Sequence, residues 1–145
     1  MNETNEFPAA REYLGQVRKA EKHVEWLRQR VANLRMLLTD TAVHLTKTPG
    51  SGSLETQKNE ALYAEIDSLE REIAEAEDAV KAIRTEVGMM ICRIQDPIAQ
   101  KVLILHYLDR MPWRNITSKI GFSETHMYRF RDMGYAELEK LLENE

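Results

Sequence analysis

The chain has 145 residues, a hydrophobic content of 43%, a charged content of 30% and a formal net charge of −4. It contains no apolar run near the ~18 residues that a membrane-spanning helix needs, and its first residues lack the basic start and apolar stretch of a secretory signal. A single cysteine, Cys92, excludes an internal disulfide framework and is typical of a reducing cytosol, so we expect a cytoplasmic helical protein that does not contact a membrane.

The first third of the chain carries a heptad repeat that predicts a coiled-coil helix. Apolar residues recur from residue 10 to residue 45 at alternating spacings of three and four, which places them along one seam of an α-helix. The seam consists of Ala10, Tyr13, Val17, Ala20, Val24, Leu27, Val31, Leu34, Leu38 and Leu45. A run of Pro, Gly and Ser after residue 48 then predicts a flexible loop over about residues 47–59.

A second heptad run, from Leu62 to Ile94, predicts another helix of nearly equal length, about 35 residues or ~50 Å. Two equal helices joined by a flexible loop favour a long antiparallel coiled-coil hairpin, and we assign it to residues 1–95. In the expected antiparallel register, the residue numbers of two seam residues that face each other add up to 107. Residues of opposite charge then face each other beside the seam. The expected flanking pairs are Arg35 with Glu70, Arg28 with Glu77 and Glu21 with Arg84.

Residues 96–145 predict a unit of three helices. Asp96 followed by Pro97 is typical of a helix start, and Pro112 opens a second, short helix. Gly121 supplies the positive φ that ends this short helix, and Ser123 is a suitable N-cap for a third helix over residues 124–142. A short helix, a glycine turn and a longer helix are the pattern of a helix-turn-helix, whose second helix enters the DNA major groove.

The segment from Tyr107 to Phe130, YLDRMPWRNITSKIGFSETHMYRF, resembles region 4 of bacterial sigma factors. With its long helical N-terminal part, the chain is similar to small phage-encoded transcriptional regulators of the ArpU type. The resemblance implies double-stranded DNA as the ligand and RNA polymerase as a protein partner. Thr117 and Gly134 depart from the sigma pattern. The positions that carry the likeness are Tyr107, Trp113, Ile116, Gly121, Ser123 and Met127.

Polar residues near the start of the third helix are the candidate DNA contacts. Arg129 suits guanine, Glu124 suits the cytosine amino group, and Thr125 suits a thymine methyl group. Residues 96–136 hold six Lys or Arg against four Asp or Glu, a weakly basic balance that favours a homodimer for useful affinity. The alternative is a solvated helix face without a ligand. The candidate base and phosphate contacts are Arg114, Lys119, Ser123, Glu124, Thr125, Tyr128, Arg129 and Arg131.

No arrangement of residues predicts catalysis, a cofactor or a metal site, and we therefore expect a protein that is not an enzyme. The four histidines and one cysteine lack ligand spacing, and the Gly-Ser run lacks the Lys-Ser/Thr of a phosphate loop. The hairpin is expected to serve dimerisation or docking to RNA polymerase. Two alternatives stay open: a phage packaging protein similar to a small terminase subunit, and a protein–protein adaptor without DNA contact.

Overall fold

The computed structural model describes the backbone of residues 6–45 and 52–145 and the side chains of residues 6–38, 54 and 56–145. This part of the chain is all-α, as predicted. A π-helical turn, Ile104–Leu108, extends the third helix. The α-helices are α1 (Pro8–Leu45), α2 (Gly52–Ile91), α3 (Pro97–Leu103), α4 (Trp113–Ile120) and α5 (Glu124–Glu143).

The predicted loop between the two long helices is too long. α2 begins at Gly52, so residues 52–59, which the sequence pattern assigns to the loop, are helical. Residues 54–59 contain no glycine or proline and include good helix formers, and this favours the earlier start. The remainder of the predicted loop, residues 47–51, lies outside the described residues.

Contacts divide the chain into two compact units. Unit 1 combines Met1–Lys19 with Val80–Glu145, and unit 2 is Ala20–Ala79. Unit 1 therefore contains the N-terminal end of α1, the C-terminal end of α2 and all of α3, α4 and α5. The predicted division into two domains at residue 95 stays a prediction.

In unit 2, α1 and α2 pack through apolar residues that include Val31, Leu34 and Ile66, all buried. Two of the expected ion pairs are present, Arg35 with Glu70 and Arg28 with Glu77. All four side chains are partly exposed to solvent, so each pair contributes at most about 1 kcal/mol. Long side chains reach several residues along a helix, so these pairs do not by themselves fix the register.

The register in unit 2 differs from the expected one by about one heptad. Arg30 pairs with Glu65 at 3.3 Å, and Leu37 lines a shallow groove with Ala61 and Leu62. These contacts put residue 37 near the level of residues 61–62, whereas the predicted register puts it opposite residue 70. A shift of seven residues matches seam positions equally well, so the heptad pattern alone does not distinguish the two registers.

Unit 1 contains two hydrophobic clusters that meet along α5. The first, larger cluster joins the ends of α1 and α2 to α3 and α5 and contains Leu14, Ile91 and Leu103. The second joins α3, α4 and α5 through Val102, Ile116 and Met127, which are completely buried. Polar caps hold the helix ends in place: Asp96 accepts hydrogen bonds from the backbone N–H groups of residues 98 and 99 at 2.9 Å, which confirms the predicted start of α3.

The buried stripe of α5 includes residues that the apolar pattern does not predict. The pattern predicts Met127, Phe130, Leu138 and Leu141 on the inner face; Met127 and Leu138 are completely buried, and Phe130 and Leu141 are half-buried and pack against the clusters. The residues that the structure buries on α5 are Met127, Arg131, Gly134, Tyr135 and Leu138. Their spacing of four, three, one and three still follows one helical face, and it places an arginine and a glycine at core positions.

Gly134 is at the closest approach of α5 to α3. A Cβ atom added there would lie 2.8 Å from Leu103 Cδ1 and 3.6 Å from Ala99 Cβ. Both neighbours are completely buried, so they have little space to move. Close packing against α3 therefore accounts for a glycine in the middle of α5.

We predict that Gly134→Ala destabilises the protein by about 1 kcal/mol. Overpacking against Leu103 destabilises by ~1–3 kcal/mol, whereas the higher helix propensity of alanine stabilises by only ~1 kcal/mol. Gly15→Ala is the matched control, since a Cβ there meets no atom within 4 Å. It should stabilise the protein by ~0.5–1 kcal/mol. Urea unfolding of both variants checks the prediction, and an equal gain in stability for both would contradict it.

Candidate functional site

The segment from Pro112 to the first turns of α5 is built by local capping signals. α4 starts directly after Pro112 and ends at Gly121, which has φ 74° and is left-handed as predicted. Ser123 is the N-cap of α5: its hydroxyl accepts from the backbone N–H of His126 at 3.3 Å. Ser123 Oγ also lies 2.7 Å from His126 Nδ1, so the cap holds the His126 ring as well. Three residues, 121–123, thus set the direction of α5 relative to α4.

Trp113 anchors the start of α4 against the core. Its ring stacks on His106 with centroids 3.6 Å apart and an interplanar angle of 12°. His106 in turn donates from Nδ1 to the carbonyl of Met111 at 2.8 Å, because a carbonyl oxygen only accepts. Trp113 also packs with the cluster around Ile116. The π-helical turn is therefore connected to α4 through a stacked pair of rings.

Most of the predicted contact residues lie on the surface of α4 and the first two turns of α5. Because Thr125 and Arg129 are four residues apart, they share one face, and that face lies opposite the buried stripe. Tyr128 is half-buried, with its ring 6.4 Å from that of Trp113. The predicted contact residues that are exposed are Arg114, Lys119, Ser123, Glu124, Thr125 and Arg129.

Arg131 corrects the prediction of a surface phosphate contact. Only 4% of this residue is exposed. Its guanidinium carbon lies 4.6 Å from the centroid of the Tyr128 ring and 5.4 Å from that of Trp113. The side chain occupies a core position four residues after Met127, where the helical period directs it inward. It is therefore not available on the surface in this conformation.

Two further residues, His126 and Met133, lie on the outer side of α5 beside Arg129. Both are exposed, and Met133 is 50% accessible. The spacing of three from His126 to Arg129 and of four from Arg129 to Met133 brings them into one patch. The helical period of α5 places both residues on the outer face, but neither is a charged or hydroxyl side chain of the kind expected to contact DNA.

The exposed charge around α4 and the start of α5 is moderately basic. Cations outnumber anions there, as a surface that binds phosphate requires. The described residues contain no group of three or more His, Cys, Asp or Glu that could hold a metal ion. The exposed cations are Arg110, Arg114, Lys119 and Arg129, and the exposed anions are Asp109 and Glu124.

The chemistry of this surface suits polar recognition. A guanidinium at Arg129 presents two parallel donors, and a hydroxyl and methyl group at Thr125 present a small mixed contact. Arg114 and Lys119, on α4, supply positive charges beside this surface.

Among the described helices, none has a stretch long and apolar enough to cross a lipid bilayer.

A family model described as "Protein of unknown function (DUF1492)" matches residues 37–139 of the chain. The match includes residues 37–45 at the end of α1, all of α2, α3 and α4, and α5 as far as Glu139. Comparison with curated proteins gave no match, and comparison with solved structures gave none.

Proposed function

We propose that this chain, which belongs to the DUF1492 family, is a sequence-specific DNA-binding transcriptional regulator. In this proposal α4, the turn at residues 121–123 and α5 form a helix-turn-helix of the sigma region-4 kind, and α5 enters the major groove. The observation that carries the proposal is the solvent-exposed polar face of Thr125 and Arg129 at the start of a capped, well-packed helix.

The division of roles follows from position. Thr125 and Arg129 are on the outer face of α5 and would contact base edges. Arg114 and Lys119, both exposed on α4, would contact phosphates and thereby position the helix in the groove. Glu124 at the first helical position would accept from a cytosine amino group and would disfavour other bases there.

The second part of the proposal assigns a protein contact to α1 and α2, as a coiled-coil hairpin that mediates dimerisation or docks on RNA polymerase. Unit 2 exposes several large apolar side chains, and exposed apolar surface of this kind is typical of protein contacts. Trp26 and Tyr63 are each 62% accessible, and Leu37 is 50% accessible. The resemblance to phage regulators of the ArpU type supports the same assignment.

We predict that purified full-length chain enriches a defined site from a random duplex library. On that duplex, Arg129→Ala should weaken binding by ~1–3 kcal/mol, roughly 5- to 150-fold, because a bidentate contact to guanine is lost. Lys140→Ala is the matched control, since Lys140 is an exposed base near the C-terminal end of α5. Fluorescence anisotropy titrations at fixed salt measure both affinities.

The library selection can also contradict the proposal. No enrichment even at low salt, where phosphate binding is strongest, would favour a protein adaptor without DNA contact. Equal loss of affinity for Arg129→Ala and Lys140→Ala would indicate general electrostatic binding in place of base reading.

Mass by light scattering separates regulation from the packaging alternative. For a regulator, we expect a monomer or a dimer, because a helix-turn-helix reads one half-site per chain. A ring of about eight or more chains would contradict the proposal and favour a role similar to that of a small terminase subunit. Trp26→Ala should shift a dimer towards monomer if unit 2 supplies the interface.

A further inference from the structure

Arg131 is the one strongly buried basic residue among the described side chains, and its surroundings are aromatic. Its guanidinium carbon lies within 5.6 Å of three ring centroids, those of Trp113, Tyr128 and Tyr135. Asp132 Oδ1 accepts from Nε and lies 3.0 Å from Nη2, while the carboxylate itself stays 47% accessible. Within the described part of the chain, the buried Nη1 atom has no hydrogen-bond partner.

An apolar side chain of similar volume would fill this position without the desolvation of a charge. Burial of a guanidinium requires desolvation, and replacement of a buried charge by an apolar residue of similar volume is often neutral or stabilising. The benefit that an arginine provides is directional: its planar cation prefers the faces of aromatic rings, whereas an apolar chain has no such preference. The arrangement therefore favours a defined geometry over maximal stability.

The three rings belong to the elements that the proposed DNA contacts depend on. Trp113 is the first residue of α4 and precedes Arg114, and Tyr128 precedes Arg129 on α5. Tyr135 is one turn after Arg131, and its hydroxyl lies 2.6 Å from that of Tyr107 in the π-helical turn. One guanidinium thus contacts the neighbours of both candidate DNA-binding arginines.

We propose that Arg131 is a positioning residue that fixes α4 against α5 through its contact with Trp113, supported within α5 by Tyr128, and so sets the spacing between Arg114 and Arg129. The DNA consequence rests on the proposed function, but the fixation of the two helices does not. Arg131 itself makes no contact with DNA. Its loss should reduce specific recognition and leave general attraction to the phosphate backbone intact.

The test uses full-length Arg131→Met and Arg131→Lys in a Trp26→Phe background, so that Trp113 is the only tryptophan, and every emission and affinity is compared with that of the Trp26→Phe parent. Met fills the volume without charge, and Lys keeps the charge without the plane. For both variants we expect unchanged helicity, a shifted Trp113 emission maximum and greater acrylamide quenching. Affinity for the selected duplex should fall at least about tenfold, with unchanged affinity for a random duplex and an unchanged salt slope.

The alternatives give different results. If Arg131 contacts a phosphate directly, Arg131→Met should lower the salt slope by about 0.9 and weaken both duplexes, and Lys should restore binding. If it only fills space, Arg131→Met should keep the acrylamide quenching and the duplex affinity of the Trp26→Phe parent. Either result would overturn the proposal. If Arg131→Met fails to fold, Arg131→Lys alone decides by the same criteria.

The inference and the proposed function fail in distinguishable ways. If the wild-type chain binds no duplex, the proposed function is wrong. The Trp113 fluorescence of the folded variants then tests the positioning role of Arg131 by itself. Greater acrylamide quenching of Trp113 than in the Trp26→Phe parent supports it, and quenching equal to that of the parent contradicts it. Lys119→Met, an exposed position on α4, is the control that should leave the emission unchanged.

Discussion

The packing of α5 on α3 is the constraint on which the rest of unit 1 depends. One helix supplies Met127 to the smaller cluster and Tyr135 and Leu138 to the larger one, so both cores share a single element. Gly134 permits the close approach, because any larger residue would collide with Leu103. Once this contact is made, the rotation of α5 about its own axis is fixed, and so is the face that it presents to solvent.

That rotation has a chemical consequence. The buried stripe directs Met127 and Arg131 inward, and the residues on the opposite side, Thr125 and Arg129, are exposed as a result. The caps at Gly121 and Ser123 then fix where this face begins. A helix whose start, rotation and support are all determined can present polar groups at constant spacing, which is what the reading of base edges requires. The aromatic contacts of Arg131 belong to the same support.

Local features of the sequence predict much of this structure. Asp96, Gly121 and Ser123 act through their own backbone and the next few residues, so their roles as caps are readable without tertiary information. The ion pair between Arg35 and Glu70 is also predicted, because long side chains tolerate a displacement along the helix. The register is not predicted, since a seven-residue repeat fits equally well after a shift of seven. The contacts of Arg30 and Leu37 in the folded structure distinguish the two registers.

The core position of Arg131 is harder to predict from sequence. A charged residue is rarely buried, so a pattern of apolar residues skips it and selects Phe130 in its place. Tyr128 and Tyr135 of the same helix and Trp113 of α4 make its burial tolerable, and only the folded state brings Trp113 to the guanidinium. The same holds for Gly134, whose neighbours Ala99 and Leu103 are more than thirty residues away in the chain.

The most direct measurement of the central claim is a heteronuclear NMR titration of the isotope-labelled full chain with a DNA duplex at low salt. The account predicts that amide and side-chain signals of Thr125, His126 and Arg129 shift first and furthest, together with Arg114. Signals from Ala20–Ala79 should stay unchanged apart from any effect of dimerisation. Shifts confined to that second unit, or no shifts at any DNA concentration, would contradict the assignment of the exposed face of α5 as the recognition surface.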